Sequence, residues 1–300
     1  MHALHTRDDL PLHVRQWTVT LARGLVLIVH GLGEHIGRYA AVAARLNEAG
    51  WDVAGYDQRG HGASGGARGD LAEPDSLLDD LSVVVDALRP ETQRPLVLLG
   101  HSLGGLIAAR FVAEGLSTQR AAWWRPVDAL VLSSPALDPG MNGAQRALLS
   151  VLAPLVPKLA IGNGLKPAWI SRDPAVVRAY VDDPLVHDRV TPRTVRFIVD
   201  AGERVRASAP RWRVPTLLMW AGADRCVAPA GSAAFAAAAP RERLTHTCYA
   251  QMAHEIFNEP EREQPLAELT RWLAALPQAG AAVAPHGVND ERTRSRTGNP

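Results

Sequence analysis

The sequence predicts an α/β protein with a mainly parallel central sheet that helices cover on both faces. Three observations predict this class. Short apolar runs alternate with stretches whose apolar residues recur at helical spacing. The pattern G-x-S-x-G, at residues 100–104, stands between one such run and one such stretch. The alternation stops at about residue 136 and resumes after residue 210, which indicates an insertion into the core.

Each element is predicted from its own pattern. Apolar or alternating runs predict edge strands within residues 12–21 and further strands at 25–30, 51–57, 95–99, 129–133, 216–220 and 245–249. Apolar residues at helical spacing predict helices at 39–49, 75–88, from 103 onward, 232–239 and 261–276.

The domain organisation follows from where this alternation lapses. Residues 136–210 contain many prolines, helix-like apolar patches at 147–159 and 192–207, and no convincing strand. They predict a helical cap inserted into a core formed by residues 1–135 and 211–277. The tail, residues 278–300, has almost no bulky apolar residue and is predicted to be disordered.

The G-x-S-x-G pattern predicts a nucleophile. Gly100 and Gly104 lack a Cβ, so the strand and the helix can approach closely around a sharp turn. Ser102 at the tip of that turn would meet the positive end of the helix, where backbone N–H groups can stabilise an oxyanion. This is the nucleophile elbow of α/β-hydrolases. The neighbouring His101 is predicted to turn away and to be structural.

The base and its acidic partner are predicted from strand ends. Functional residues of parallel sheets collect where the strands end. Asp224 follows the strand at 216–220, and His254 follows the strand at 245–249. The order Ser, Asp, His is that of the α/β-hydrolase triad, with His254 as the base and Asp224 orienting it. His246 lies inside a predicted strand and is the weaker candidate.

The loop after the strand at 25–30 predicts the oxyanion hole. Its glycine-rich sequence leaves backbone N–H groups accessible, and the expected donors are the N–H groups of Leu32 and Leu103. Glu34 in the same loop is a candidate substrate-binding residue. Glu34 could instead pair with Arg38 and hold the loop, or form a solvated ion pair of no consequence.

The predicted cap helix at 147–159 has more apolar residues than one buried stripe requires. Leu148, Leu152 and Leu155 are therefore predicted to bind substrate by lining an acyl tunnel. The excess could also face a lipid surface in transient membrane contact, pack against a second subunit, or be buried within the cap. The oligomeric state is left open.

Composition excludes several classes of partner. The net charge of +1 favours no nucleic acid. The sequence has no metal-ligand cluster, phosphate loop or nucleotide fingerprint, so neither a metal nor another cofactor is expected. Two cysteines, Cys226 and Cys248, form no disulfide framework, which favours the cytoplasm and leaves their pairing open. The N-terminus lacks the apolar core of a signal peptide, and no apolar run is long enough to span a bilayer.

Taken together, the motifs resemble those of the monoacylglycerol lipases and bacterial lysophospholipase-like proteins, often grouped with the S33 aminopeptidases. The likeness extends from about residue 12 to residue 276 and is carried by seven stretches: HGLGEHIGRY (30–39), YDQRGHGASGG (56–66), GHSLGG (100–105), SSPAL (133–137), DPLVH (183–187), AGADRCV (221–227) and AHEIFNEP (253–260).

The resemblance implies an α/β-hydrolase fold with a helical cap and hydrolysis of single-chain lipid esters. It also implies Ser102, Asp224 and His254 as the triad, with Leu32 and Leu103 as oxyanion donors. Leu32 departs from the smaller residue that is common in the mammalian lipases. Its side chain is expected to narrow the acyl entrance while its N–H remains usable.

Three other functions stay open from the sequence. A carboxylesterase of small esters would use the same triad. An aminopeptidase would need acidic groups for a free amine, which Asp182, Asp183 and Asp188 of the predicted cap could supply. A binding protein on an inactive hydrolase scaffold would usually have lost a triad member, whereas this sequence keeps all three.

Overall fold

The structure, a computed structural model, describes residues 4–89 and 94–276. The predicted disorder of residues 278–300 lies outside the described residues. The strands of the described part are Leu4–His5 (β1), Pro11–Leu12 (β2), Val14–Trp17 (β3), Leu25–Val29 (β4), Asp52–Tyr56 (β5), Leu96–His101 (β6), Ala129–Ser133 (β7), Ile161–Gly162 (β8), Arg189–Val190 (β9), Thr216–Ala221 (β10) and Leu244–Tyr249 (β11).

The α-helices of the same residues are Ala40–Glu48 (α1), Ser76–Leu88 (α2), Leu103–Ala113 (α3), Gly143–Leu155 (α4), Pro174–Asp182 (α5), Pro192–Ser208 (α6), Pro229–Ala238 (α7) and Glu263–Ala274 (α8). Short 3₁₀ turns precede α1 at Ile36–Tyr39 and α8 at Ile256–Asn258. Three further 3₁₀ turns lie at Glu114–Leu116, Pro167–Trp169 and Ala209–Arg211.

Seven strands form the central sheet in the order β11-β10-β7-β6-β4-β5-β3. All neighbouring pairs are parallel except β3 with β5, so the predicted mainly parallel sheet is confirmed. Every residue of β4, β6, β7 and β10 is buried. Side chains of a strand point alternately to the two faces, so both faces must be covered.

The core lies in two layers, one on each face of the sheet. Alternate residues such as Val26 and Ile28 of β4 pack in one cluster with α1 and α8. Their neighbours, Leu27 and Val29, pack in the other cluster with α2, α3, α6 and α7. The carboxyl ends of β6, β10 and β11 are thereby held at one edge of the sheet, where the predicted catalytic residues follow.

The segment 136–210 differs from its prediction in three ways. It contains a two-stranded antiparallel pair, β8 with β9, and the additional helix α5, which begins at the N-cap Asp173 and Pro174. Helix α4 begins four residues before the predicted start, because Asn142 and Gln145 form a capping box there. Helix α6 packs against α3 and shares the core cluster through Phe197 and Val205.

Two contacts tie this segment to the core beside the predicted oxyanion loop. The N–H of His187 donates to the carbonyl of Gly33 at 2.9 Å. The imidazole Nε2 of His35 lies 2.8 Å from a carboxylate oxygen of Asp183. The division into a core and a cap stays a prediction. We call residues 136–210 the cap.

Candidate active site

Ser102 occupies a strained turn between β6 and α3. Its φ of 52° and ψ of −120° lie in a region that residues other than glycine rarely adopt. Such strain is typical of a nucleophile elbow, because it lifts the side chain out of the regular strand and helix. Leu103 is the first residue of α3, so its N–H has no acceptor within the helix and is available beside Ser102.

Asp224 and His254 meet at the ends of β10 and β11. Nδ1 of His254 lies 2.6 Å from Oδ2 of Asp224, and both side chains are buried. Oδ1 of the same carboxylate accepts hydrogen bonds from the backbone N–H groups of Cys226, at 2.8 Å, and Val227, at 3.1 Å. The carboxylate is therefore fixed before it orients the imidazole.

The negative charge of Asp224 raises the pKa of His254. Burial alone would lower the pKa of His254, but the charge and the hydrogen bond of Asp224 outweigh it, and the pKa lies above the ordinary 6.5. Glu255 and Glu34 act in the same direction. A raised pKa makes the neutral imidazole a stronger base. It also means that the imidazolium formed by proton transfer from the serine is stabilised.

Ser102 and His254 line one cavity. Among the described residues, no hydrogen bond joins the hydroxyl of Ser102 to the imidazole of His254, whereas Asp224 and His254 are joined. Catalytic hydrogen bonds are often long in structures without substrate. The three predicted residues therefore lie close together. The hydrogen bond between Asp224 and His254 is formed, and the one between His254 and Ser102 is not.

The predicted oxyanion loop lies directly against the elbow. A Cβ added to Gly31 would stand 3.2 Å from Cβ of Ser102. Leu32, the next residue, lines the cavities on both sides of Ser102. Leu32 and Leu103 are thus both close to Ser102, and their roles as oxyanion donors stay a prediction.

The carboxylate of Glu34 is bonded to groups of the protein, which favours a role in holding the loop over the predicted substrate binding. It borders the cavity, but Oε1 already accepts from the N–H of Gly31 and the hydroxyl of Tyr39, each at 2.6 Å. Oε2 accepts from Arg38 at 2.7 Å, and Arg38 also makes two hydrogen bonds to Glu255. We therefore assign Glu34 to holding the oxyanion loop, which was the alternative considered from the sequence.

The charge of Glu34 is stable in this buried network. Burial would raise the pKa of its carboxyl, but Arg38 and the neighbouring groups hold the pKa at about 2. The loop anchor consequently stays ionised over the whole neutral range. The ion pair is a buried one, in contrast to the solvated alternative.

Two cavities meet at Ser102. The first, of about 490 Å³, has a mixed lining that includes the polar side chains of Tyr180, Asp183 and His187, and we call it the polar cavity. The second, of about 410 Å³, is lined mostly by apolar side chains, among them Leu148, Leu152 and Ile198. Both sizes are ordinary for small-molecule sites. A scissile bond at Ser102 would therefore have a polar group on one side and an apolar group on the other.

Leu155 does not take the place predicted for it. It is 72% exposed and is not among the residues that line either cavity, whereas Leu148 and Leu152 line the apolar one. Leu155 is the last residue of α4 and lies past the cavity. With Val151 and Leu159, also exposed, it forms an apolar surface on the cap, which we call the cap patch.

Sequence reasoning missed two residues of the site. The His101 ring centroid lies 4.7 Å from that of His254, so its side chain does not turn away as predicted. Burial and the neighbouring His254 lower the pKa of His101 to about 4, which leaves it neutral. Cys226 lines both cavities and was signalled only by its position two residues after Asp224.

The acidic residues considered for an aminopeptidase are divided by the structure. Asp183 and Asp188 line the polar cavity, while Asp182 is exposed and outside it. Asp183 is engaged by His35. The exposed Asp188 interacts with the side chain of Arg189. Both carboxylates of this set that line the cavity thus have a cationic or imidazole partner.

The sheet order, the strained elbow and the Asp–His pair define an α/β-hydrolase, as the sequence predicts. The model of one protein family, described as serine aminopeptidase, S33, matches residues 20–261. The chain belongs to this family, which confirms the resemblance found in the motifs.

Several relatives are similar over nearly the whole chain. A monoacylglycerol lipase of Mycolicibacterium smegmatis is 34% identical over 268 residues, covering 86% of this chain and 91% of the relative. A monoglyceride lipase of Rattus norvegicus is 29% identical, covering 93% and 92%. An uncharacterized abhydrolase domain-containing protein of Dictyostelium discoideum is 31% identical, but the chain spans only 28% of its length.

A solved structure agrees with these sequences. The crystal structure of a monoacylglycerol lipase from Paleococcus ferrophilus superposes with a TM-score of 0.77 at 34% identity, covering 87% of this chain and 98% of that one. The predicted α/β-hydrolase fold is confirmed. Among the residues that the structure describes, no helix is both long and apolar enough to cross a membrane.

Proposed function

We propose that this chain hydrolyses carboxylic esters of single-chain lipids, monoacylglycerols in the first place, through an acyl-enzyme on Ser102. The observation that carries the proposal is the junction of an apolar and a polar cavity at that serine. The acyl chain lies along Leu148 and Leu152, and the alcohol of the ester lies in the polar cavity. The relatives named monoacylglycerol lipase support the same substrate class.

The proposed reaction has two halves. Nε2 of His254 takes the proton of Ser102 while Oγ attacks the ester carbonyl, and the N–H groups of Leu32 and Leu103 stabilise the oxyanion. His254 then protonates the departing alcohol, which leaves an acyl group on Oγ. A water molecule deprotonated by His254 attacks that acyl group. As the second oxyanion collapses, His254 returns the proton to Oγ of Ser102, which releases the fatty acid and restores the serine.

The pH profile is expected to have an acid limb set by His254. The base must be neutral in the free enzyme, so kcat/KM should fall as the pH decreases through the raised pKa of His254, above 6.5. In Asp224→Asn the raising charge is lost while burial remains, so the limb should move to lower pH. Initial rates on a p-nitrophenyl ester between pH 5 and 9 measure the acid limb of the wild type and that of Asp224→Asn.

Asp224→Asn should also be slow, because the asparagine amide cannot fix the tautomer in the same way. A limb that stays at the same pH in Asp224→Asn would contradict the assignment of Asp224 as the partner of His254. Thermal unfolding of the variant is the control. It shows whether the protein is folded at the assay temperature, so that a low rate is not mistaken for an effect on His254.

The acyl-chain preference is expected to depend on the apolar cavity. Each buried CH₂ contributes about 0.8 kcal/mol, so kcat/KM should rise by up to about fourfold for each added carbon from acetyl to at least octanoyl esters. Replacing Leu148 and Leu152 together by Ser should flatten this rise. Rates on dissolved p-nitrophenyl esters of increasing length give the profile, with a monoacylglycerol, a lysophospholipid and a triacylglycerol alongside.

Leu155→Ser is the matched control, because Leu155 lies on the same helix outside the cavity. It should leave the profile on dissolved esters unchanged. An enzyme that is fastest on acetyl esters, with a profile indifferent to Leu148 and Leu152, would favour a carboxylesterase of small esters. Hydrolysis of aminoacyl p-nitroanilides in place of esters would favour an aminopeptidase.

We also propose that the cap patch touches lipid surfaces transiently. Its members, Val151, Leu155 and Leu159, are each more than half exposed, and Val151 and Leu155 belong to the same helix as the cavity-lining Leu148 and Leu152, so contact would bring that helix to the lipid. On vesicles that contain monoacylglycerol, Leu155→Ser should therefore slow turnover, although it leaves the rate on dissolved esters unchanged.

A cytoplasmic location is also part of the proposal and is supported by Cys226 and Cys248, which are both free thiols.

A further inference from the structure

Three chemically different ligand groups converge beside the nucleophile. Asp224 and Cys226 lie on the loop after β10, and His254 lies on the loop after β11. One ligand atom from each residue lies within 4.8 Å of the others. The N–H of Cys226 donates to Oδ1 of Asp224, so one turn holds the thiol and the carboxylate together.

This combination of groups is the one that zinc selects. Thiolate sulfur, imidazole nitrogen and carboxylate oxygen are its usual protein ligands, and reactive zinc sites have three of them with one open position. Magnesium and calcium prefer oxygen ligands and bind thiols poorly. The ligand atoms of a tetrahedral zinc ion lie roughly 3.3–3.8 Å apart, so binding would require the three side chains to move closer together.

The carboxylate of Asp224 supplies the negative charge of the cluster. Burial, and after it the charges of Asp224 and Glu255, raise the pKa of the Cys226 thiol, so a metal ion must displace the proton of a neutral thiol. Glu34 and Glu255 are both paired with Arg38. Cys226 lines both cavities, so an ion that enters through either of them reaches the sulfur.

We propose that Asp224, Cys226 and His254 form an inhibitory site for a thiophilic divalent cation, with zinc as the typical ion. The cation displaces the thiol proton, which passes to solvent, and bonds to sulfur, to the carboxylate and to one imidazole nitrogen. The open fourth position faces the cavity and takes a water molecule. The effect on turnover rests on the proposed function, whereas the binding of the ion does not.

Either imidazole nitrogen would stop the reaction. If the ion bonds to Nε2, the lone pair that should take the proton of Ser102 is occupied. If the ion bonds to Nδ1, the ring proton must reside on Nε2, which is then a donor. An ion on Nδ1 also replaces the hydrogen bond between that nitrogen and Asp224. The hydrolase is therefore off while the ion is bound and recovers when a chelator removes it.

The test compares the only two cysteines of the sequence. Cys226→Ala removes the sulfur from the cluster, and Cys248→Ala removes an exposed thiol on β11 that the cluster does not include. Cys226→Ser is a second variant of similar size whose hydroxyl is a poor zinc ligand. Equilibrium dialysis against ZnCl₂ measures the zinc bound to each protein. A phosphine reductant keeps the cysteines reduced without adding a thiol that would itself bind zinc.

Wild type and Cys248→Ala should bind one more zinc per chain than Cys226→Ala and Cys226→Ser. Each protein is then assayed against its own zinc-free rate on a p-nitrophenyl ester. The zinc concentration for half inhibition should rise at least about tenfold in both Cys226 variants, because one of three ligands is lost. MgCl₂ at the same concentrations should not inhibit wild type, and EDTA should restore its rate.

Equal zinc binding by wild type and both Cys226 variants would overturn the proposal, as would loss of the additional zinc in Cys248→Ala. Inhibition that is equally strong in the Cys226 variants would overturn the inhibitory role. If wild type hydrolysed no ester at all, the proposed function would fail, while dialysis would still decide the metal site. The two failures are thus separable.

Discussion

Ser102→Ala is expected to lower kcat/KM on esters by a factor on the order of 10³ or more, with an unchanged melting temperature. The hydroxyl is the proposed nucleophile, and no water molecule held in its place can form the acyl-enzyme. The side chain lines the cavities and packs little, so alanine at the same strained φ of 52° costs the fold almost nothing. Ester hydrolysis and thermal unfolding of the same preparation measure the two effects.

Labelling by a fluorophosphonate adds an assay that is independent of turnover. Wild type should gain one covalent adduct on Ser102, and Ser102→Ala should gain none. His254→Ala should lose as much activity as the serine variant, and the double variant should lose no more, because the two residues act as a unit.

His246→Ala is the control for the assignment of the base. His246 is an exposed residue of β11 next to Trp220 and does not line either cavity. It should keep the wild-type rate. If Ser102→Ala kept a tenth of wild-type activity, or if His246→Ala were the inactive histidine variant, the proposed roles would be wrong.

The meeting of Asp224 and His254 could be predicted because it depends on the sheet. Both residues follow parallel strands, and the carboxyl ends of adjacent strands β10 and β11 lie side by side. The fully buried strands were also predictable, since a run such as that of β4 is apolar throughout. In these regions local pattern and tertiary position carry the same information.

The surroundings of the site depend on contacts between distant residues. Arg38 and Glu255 are 217 positions apart and no local pattern pairs them, so the sequence could offer a role for Glu34 only as one of several. The spacing of Leu148, Leu152 and Leu155 gives a common helix face. It does not say how far the cavity extends along that face, and Leu155 lies past its end.

The cap shows the same limit for backbone structure. Strands β8 and β9 have two residues each, which is too short for a periodic signal, and they pair across 27 residues. Helix α5 carries the start signal Asp173-Pro174, and α4 carries the capping box of Asn142, so both starts were legible in the sequence.

Gly104→Ala is expected to damage both stability and activity, since the elbow has no space for a side chain there. A Cβ on Gly104 would come closer than 3.0 Å to the carbonyl oxygens of Val29 and His30, which are backbone atoms at the end of β4. Backbone cannot rotate away as a side chain can, so α3 and β4 would have to separate. Overpacking of this kind costs on the order of 3 kcal/mol.

That loss should lower the melting temperature by roughly 5–10 °C. Activity should fall further than stability explains, because the displaced backbone leads directly into Gly31 and Leu32 of the proposed oxyanion hole. Circular dichroism melting and the rate at a temperature where the variant is folded separate the two losses.

Gly143→Ala is the matched control, because a Cβ at the start of α4 meets nothing within 4 Å. Gly143→Ala should melt at or slightly above the wild-type temperature with full activity. A Gly104→Ala protein that melts and turns over like the Gly143 variant would mean that β4 and α3 are not packed as closely at the elbow as the structure has them.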